Sequence, residues 1–364
     1  MNMSLNMNTK LNTSLNPWSE FDGHEQVVVA QDPKTGIRSV IAIHSTALGP
    51  ALGGTRMSLY ADAPDPYAAA HADAMRLARA MTLKNSLAGL PHGGGKAVII
   101  GDPHNKSREQ LLAYGDLIES LGGKYVTAGD VGMQVADMDV LGERSKWVTG
   151  RSPEKGGVGD SGILTALGIW QGMRATAQFA YGSPDLADRT IAVVGAGKVG
   201  GRLIGHLIES EGARVVAIDP VPEVRAALSA QYPAVTFVET VDQLLATNPD
   251  VLSPNAMGGF ITPEMAARLE AGMVCGGANN QLASPEVGDL LAERGILYAP
   301  DFLVNCGGVI QVAEELVGAD VERARAKVMG VYDTASTVFA RAASEGITPV
   351  AAAEAEAWAR ISAA

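Results

Sequence analysis

Gly195-Ala196-Gly197-Lys198-Val199-Gly200 constrains this chain more than any other stretch, because it spells G-x-G-x-x-G between an apolar strand and an apolar helix. In a chain with 42 glycines the string alone means little, so its setting decides. It follows the run Ile191–Val194 and opens a helix expected from Val199 to Glu211, which Gly212 closes. A second strand then ends in Asp219. Each part has a task in holding a dinucleotide. Gly195 permits the tight turn, Gly197 lets backbone approach a pyrophosphate, and Gly200 lets helix and strand pack closely. Amides near Lys198 and Val199, at the positive end of the helix dipole, would face the phosphates. Asp219 would bond the adenosine ribose and repel a 2′-phosphate, which favours NAD over NADP. A strand–turn–helix without a ligand is the plainer alternative, and three elements in register speak against it.

Strands are expected at Ile191–Val194, Val215–Ile218, Val251–Leu252, Met273–Cys275 and Ile296–Tyr298, alternating with helical segments. That rhythm means a parallel sheet covered by helices. The pattern upstream differs. Gln26–Gln31 and Ile37–Ile43 flank the turn residues Asp32–Gly36 and read as an antiparallel hairpin. Gly49–Gly54 reads as a glycine-rich loop, and a helix is expected from Tyr67 to Leu83, ending near Lys84. Gly93, Gly94 and Gly95 read as a loop before Lys96 and the apolar strand Ala97–Ile100. Ser107 and Gln110 have capping-box spacing and open a helix through Leu121, stopped by Gly122 and Gly123.

At 364 residues the chain is too long for one simple core. The expected fold is α/β with two domains separated by a cleft. Residues 17–155 form an N-terminal α/β domain for substrate binding and oligomerisation. Residues 156–339 form a Rossmann-type, doubly wound NAD-binding domain. A helical tail from Ala335 to Ala364 is expected to pack back on the first domain over about 340–364, and glycine-rich Gly150–Gly162 is the expected hinge.

The net charge of -12 offers nothing to neutralise phosphates or attract anionic lipid, so neither nucleic acid nor membrane is expected as a partner. The two cysteines, Cys275 and Cys306, read as small buried hydrophobes, which points to a reducing cytoplasm. Met1–Asn16 is polar and reads as a frayed leader. No metal site is expected.

Function must come from the upstream half, since a bound dinucleotide serves many reactions. Three segments stand out: Thr82–Lys96 (TLKNSLAGLPHGGGK), Gly129–Gly132 (GDVG) and Gly49–Arg56 (GPALGGTR). A lysine beside a buried strand is usually a boundary charge, and an aspartate between glycines usually a turn. Lys84, Lys96 and Asp130 together suit proton removal beside a substrate carboxylate. One ammonium would hold the carboxylate. The other would act as a base, its pKa lowered by burial and a like charge. Moving a lysine from about 10.4 to about 7–8 takes about 4 kcal/mol, within reach of those effects. Asp130 would pass protons between water and the amine.

With Leu164–Met173 (LTALGIWQGM), Ser253–Gly259 (SPNAMGG), Gly276–Gln281 (GGANNQ) and Ala299–Glu315 (APDFLVNCGGVIQVAEE), these segments resemble the glutamate/leucine/phenylalanine/valine dehydrogenase family from about residue 20 to the C-terminus. The resemblance implies Lys96 as general base activating water, Lys84 as carboxylate binder and Asp130 as proton shuttle. It places Thr165 at the nicotinamide carboxamide and Asn279 at the nicotinamide ribose, with Asn280 as a substrate contact. It also implies reversible oxidative deamination of an L-amino acid to a 2-oxo acid, ammonium and NADH by a homo-oligomer, dimer or octamer.

Leu52, beside Gly53, stands where glutamate-using relatives carry a lysine for the distal carboxylate. Burying an unpaired carboxylate against leucine costs several kcal/mol, so glutamate is disfavoured. Met81, Val309 and Val312 would complete an apolar pocket by the same likeness, with ordinary core packing as their alternative. A branched aliphatic substrate is therefore expected. One methylene is worth only about 1–3 kcal/mol, so valine, leucine and isoleucine are not separated. The competing expectations are a phenylalanine- or glutamate-preferring relative and a non-catalytic NAD-binding regulator.

Overall fold

The computed structural model describes residues 23–364; the leader read at Met1–Asn16 and the expected domain start at residue 17 lie outside them. Among the described residues the strands fall into two sheets. The first contains β1 (Gln26–Gln31), β2 (Arg38–Ser45), β3 (Ala51–Ser58), β4 (Gly93–Ile100) and β5 (Tyr125–Gly129) in the order β1-β2-β4-β3-β5. β1 and β2 form the expected antiparallel hairpin, β2 and β4 are antiparallel, and β3 runs parallel to both β4 and β5.

Two expectations about this half need correction. Gly53 and Gly54 lie within strand β3, and Gly93, Gly94 and Gly95 open strand β4. The reason is lack of space. A Cβ on Gly53 would stand 1.8 Å from the Gly95 carbonyl oxygen, and one on Gly94 2.1 Å from the backbone nitrogen of Thr82. These glycines let strand and helix backbones touch, so turn formation is not their purpose here.

The helix above them, α1 (Pro66–Leu87), also runs a turn beyond its expected end, so Lys84 lies inside its last turn. Asp65 caps its start by accepting from the amides of Tyr67 and Ala68. Ala70, Ala74, Met75 and Ala78 pack on Val40, Ala42 and Val98 of one sheet face. On the other face, α2 (Arg108–Ser120), with its Ser107–Gln110 capping box, and α3 (Val135–Leu141) cover Ile41, Ala97 and Ile99.

From Gly150 the chain passes into α4 (Gly162–Tyr181) and the second sheet. Its strands are β6 (Thr190–Val194), β7 (Arg214–Ile218), β8 (Thr236–Phe237), β9 (Val251–Pro254), β10 (Met273–Val274) and β11 (Leu297–Tyr298), all parallel, in the order β11-β10-β9-β6-β7-β8. The order reverses between β6 and β9, where ligands enter doubly wound sheets. β8 was not among the expected strands; two residues are too short to show a period.

Alternate strand residues serve two cores. Ile191, Val193 and Val251 face α4 and α5 (Gly200–Glu209), whereas Ala192, Val194 and Leu252 face the layer that includes Leu244, Met265 and Leu291. That second layer is built from α7 (Val241–Leu245), α8 (Pro263–Arg268) and α9 (Glu286–Glu293), whereas α6 (Pro222–Gln231) packs Val224 and Leu228 on the α4 and α5 side. After β11 come α10 (Asp301–Val304), α11 (Gly307–Glu315), α12 (Val321–Met329), α13 (Val331–Glu345) and α14 (Pro349–Ser362). α14 meets α1, with Ser86 Oγ donating to the Ala357 carbonyl at 2.9 Å and Arg360 bonding the carbonyls of Ser86 and Leu90. Among the described residues no helix is long and apolar enough to cross a membrane.

Gly94→Ala is expected to destabilise the fold by about 3 kcal/mol or more, because backbone rather than a flexible side chain blocks the methyl. Gly197→Ala, with nothing within 4 Å of its added Cβ, should leave stability unchanged. Denaturant midpoints of the two variants check both outcomes.

Candidate active site

The fingerprint glycines do three separate things after β6. Gly195 has φ 87°, a left-handed conformation that opens the turn. A Cβ on Gly200 would lie 2.0 Å from the Gly195 carbonyl oxygen, so helix and strand meet there. Gly197 faces open space, leaving room for another group to approach its backbone. The α5 helix begins at Gly200, one residue later than expected, with Val199 as its cap. Asp219 directly follows β7, buried, its carboxylate accepting from the amides of Ala196 at 2.7 Å and Val221 at 2.9 Å. These residues fit the turn, cradle and ribose positions of a dinucleotide. Lys198 is engaged elsewhere: Asp160 receives it at 3.2 Å and Arg202 at 2.6 Å.

Lys96 points from β4 toward α1, buried, with its Nζ 2.6 Å from Asp130 Oδ2. Asp130 follows β5, and its amide donates to the Thr55 carbonyl at 3.1 Å. A side chain at Gly54 would crowd this pair, its Cβ falling 2.9 Å from Asp130 Cβ and 3.4 Å from Lys96 Nζ. Burial works to raise the Asp130 carboxyl, but Lys96 and Arg56 outweigh it and hold it well below the usual carboxylate range. Arg56 Nε reaches the same Oδ2 at 3.2 Å.

Lys84 crosses to the other half of the molecule, donating to Asn279 Oδ1 at 3.1 Å. Asn305 also donates to that oxygen, at 2.8 Å, and so fixes the amide's orientation. Burial pushes the Lys84 ammonium below its ordinary range; Asp301, Cys306 and Asp130 pull it back up, and Lys96 pushes it further down. The lysine whose charge the structure disfavours is therefore Lys84, whose hydrogen-bond partner is neutral. Lys96 has its carboxylate.

The remaining expected residues divide. Thr165 lies in the first turn of α4, its hydroxyl on the Ser161 carbonyl at 2.9 Å, in a space that Gly308 leaves free. Asn280 has φ 52°, and its carbonyl accepts the Gly259 amide at 2.7 Å. Leu52 is fully buried with Leu90, Val126, Leu164, Leu167 and Ile310, an apolar cluster that spans both halves, and Val309 packs on its border. Met81 lies over Gly53, and Val312 is buried on α11; neither belongs to that cluster. Arg56 and Asn305 were not picked out as site residues, although both lie inside segments singled out for other residues.

Comparison with known proteins matches residues 24–147 to the profile for Glu/Leu/Phe/Val dehydrogenase, dimerisation domain, and residues 220–364 to that for glutamate/leucine/phenylalanine/valine dehydrogenase. The chain is 55% identical over 338 residues to a valine dehydrogenase of Streptomyces albus, covering 92% of each protein. It is 44% identical over 347 residues to a leucine dehydrogenase of Geobacillus stearothermophilus, covering 94% of this chain and 92% of that protein. Among solved structures, L-tryptophan dehydrogenase from Nostoc punctiforme superposes with a TM-score of 0.81 at 35% identity, over 95% of this chain and 98% of that one.

The open space at Gly197 yields a binding test. Gly197→Ala should weaken NADH binding at least tenfold in a fluorescence titration while the folded protein keeps its thermal midpoint.

Proposed function

Because this chain belongs to the Glu/Leu/Phe/Val dehydrogenase family, we propose that it oxidatively deaminates a branched-chain L-amino acid, reversibly, with NAD. The observation that carries the reading is the meeting of Lys84, Lys96 and Asp130 with Asn279 of the other half, in a chain this similar to valine and leucine dehydrogenases.

The assignment of roles follows from charge. A substrate carboxylate brought to Lys84 supplies the anion that its half-buried ammonium lacks, so Lys84 grips the carboxylate. Asp130, already ionised, accepts a proton from the substrate ammonium. A nicotinamide held against Thr165 and Asn279 would supply the hydride acceptor for the substrate Cα, the oxidation that turns the amine into an imine. Lys96, after giving its ammonium proton to solvent, draws a proton from the water that adds to the imine carbon. Asp130 returns a proton to the nitrogen as the carbinolamine collapses to a 2-oxo acid and ammonium. Across the reaction, amino acid, NAD and water become 2-oxo acid, ammonium, NADH and a proton. Thr165 and Asn279 orient the nicotinamide end, and Asn280 contacts the substrate.

Asp219 favours NAD because a 2′-phosphate would meet its buried carboxylate. By likeness to the family, Leu52, Gly53, Met81, Val309 and Val312 would line an apolar pocket that rejects a distal carboxylate, and the burial of Leu52 among apolar side chains supports that reading. The same reading takes the chain as a homo-oligomer built through residues 24–147, with its hinge in Gly150–Gly162 and domains at about 17–155 and 156–339. Cys275 and Cys306 are both buried free thiols, which suits a reducing cytoplasm.

The deciding assay follows NADH formation from valine, leucine, isoleucine, phenylalanine and glutamate. Activity is expected with the branched substrates and NAD, and Lys96→Ala should lower kcat by roughly 10²–10⁴. Silence with every aliphatic amino acid would overturn the activity. A Lys96→Ala enzyme as fast as the wild type would overturn the mechanism.

A further inference from the structure

The reaction just described leaves one cation beside Asp130 without a role. Arg56, on β3, shares Asp130 Oδ2 with Lys96, at 3.2 and 2.6 Å. Its other arm is anchored: Arg56 Nη1 lies 2.8 Å from Asp73 Oδ2, which also accepts the Tyr60 hydroxyl at 2.7 Å. Arg76 holds the second oxygen of Asp73 at 2.8 Å. Tyr60 has φ 52°, a conformation that a tyrosine keeps only when its surroundings impose it. A chain of contacts thus runs from a strained tyrosine through Asp73 and Arg56 to the carboxylate facing Lys96.

We propose that Arg56 is a positioning residue for proton transfer at the Lys96–Asp130 pair, dividing Asp130 Oδ2 between two cations and so limiting how firmly the pair keeps a proton. The inference rests on the dehydrogenase reading above. Charged and titratable groups reach Asp130 from four elements, and the Lys106–Asp137 pair lies at the Gly132 carbonyl two residues farther on. Lys96 comes from β4, Arg56 from β3, Lys84 from α1 and the Tyr125 hydroxyl from β5, with Asp73 and Arg76 of α1 behind Arg56. Removing the Arg56 charge takes away a nearby cation that opposes protonation, and Lys96 then has Oδ2 to itself. Both changes favour the protonated pair, so the acid limb of activity moves to higher pH.

The test measures kcat for the best branched substrate against pH in wild type, Arg56→Gln, Arg56→Lys, Asp130→Asn and Arg79→Gln. Arg79→Gln removes the same charge from α1 at a residue whose partner is Glu354, 3.9 Å away. Arg56→Gln should move the acid limb up by about one pH unit. Arg56→Lys should return most of that shift, and Arg79→Gln should leave the limb in place. If Arg56→Gln does not fold, Arg56→Met keeps the apolar stem without the charge and serves instead. An Arg56→Gln limb that coincides with wild type, in an enzyme that Asp130→Asn cripples, would overturn this inference and leave the dehydrogenase reading standing. Equal shifts in Arg56→Gln and Arg79→Gln would overturn it too, since any lost charge would then suffice. A wild type that oxidises no branched substrate would end both.

Discussion

At Gly53, Gly93, Gly94 and Gly95 there is no room for even a methyl group, and the geometry of the cleft depends on that closeness. A Cβ on Gly94 would run into the backbone of Thr82, so α1 lies almost directly on β4. Ala70, Ala74 and Ala78 keep the approach equally tight along the rest of the helix. Two residues past Thr82, the last turn of α1 carries Lys84 to within electrostatic reach of Lys96 and Asp130. Larger side chains at the glycines would lift the helix and part the two lysines, because packed interiors do not absorb an extra methyl group freely.

The charges so gathered are unevenly matched. Lys96 and Arg56 share one carboxylate, while Lys84 finds a neutral amide oxygen and a more distant Asp301. Asp301 itself is pushed up by burial, against the attraction of Lys84 and several backbone amides. A site with one poorly compensated ammonium favours an anion beside it, since a buried charge is costly until it is paired. The substrate carboxylate proposed for Lys84 would supply that anion. Lys96 and Asp130 balance each other's charge.

The second half of the molecule reaches the same cleft through side chains that hold backbone. Glu315 of α11 accepts from the amides of Gly150 and Val158, and Gln311 donates to the Val158 carbonyl, so the connector is bonded to the nucleotide-binding half. Burial raises the Glu315 carboxyl while those amides lower it. Asp160, farther along the connector, pairs with Lys198 and Arg202 beside the glycine turn. The Leu52 cluster joins both halves through apolar contact. Connector, cofactor turn and cleft are thus linked by contacts, and a shift in one loads the others.

Much of this was readable in order along the chain. The turn at Gly195 and the close packing at Gly200 were legible because a turn between a strand and the helix after it is a local matter, and the Ser107–Gln110 box was equally local. Gly93–Gly95 misled, since glycine favours turns in isolation, and only the nearness of Ser45, Thr82 and Tyr125 makes a glycine strand sensible. Arg56 and Asn305 stayed hidden because their partners, Asp130 and Asn279, lie far away in sequence. The sequence by itself determined the periodicities, the caps and the chemical groups available. Tertiary structure alone decided which lysine would meet a carboxylate and which a neutral amide, because Coulomb energy depends on distances between segments that meet only after folding.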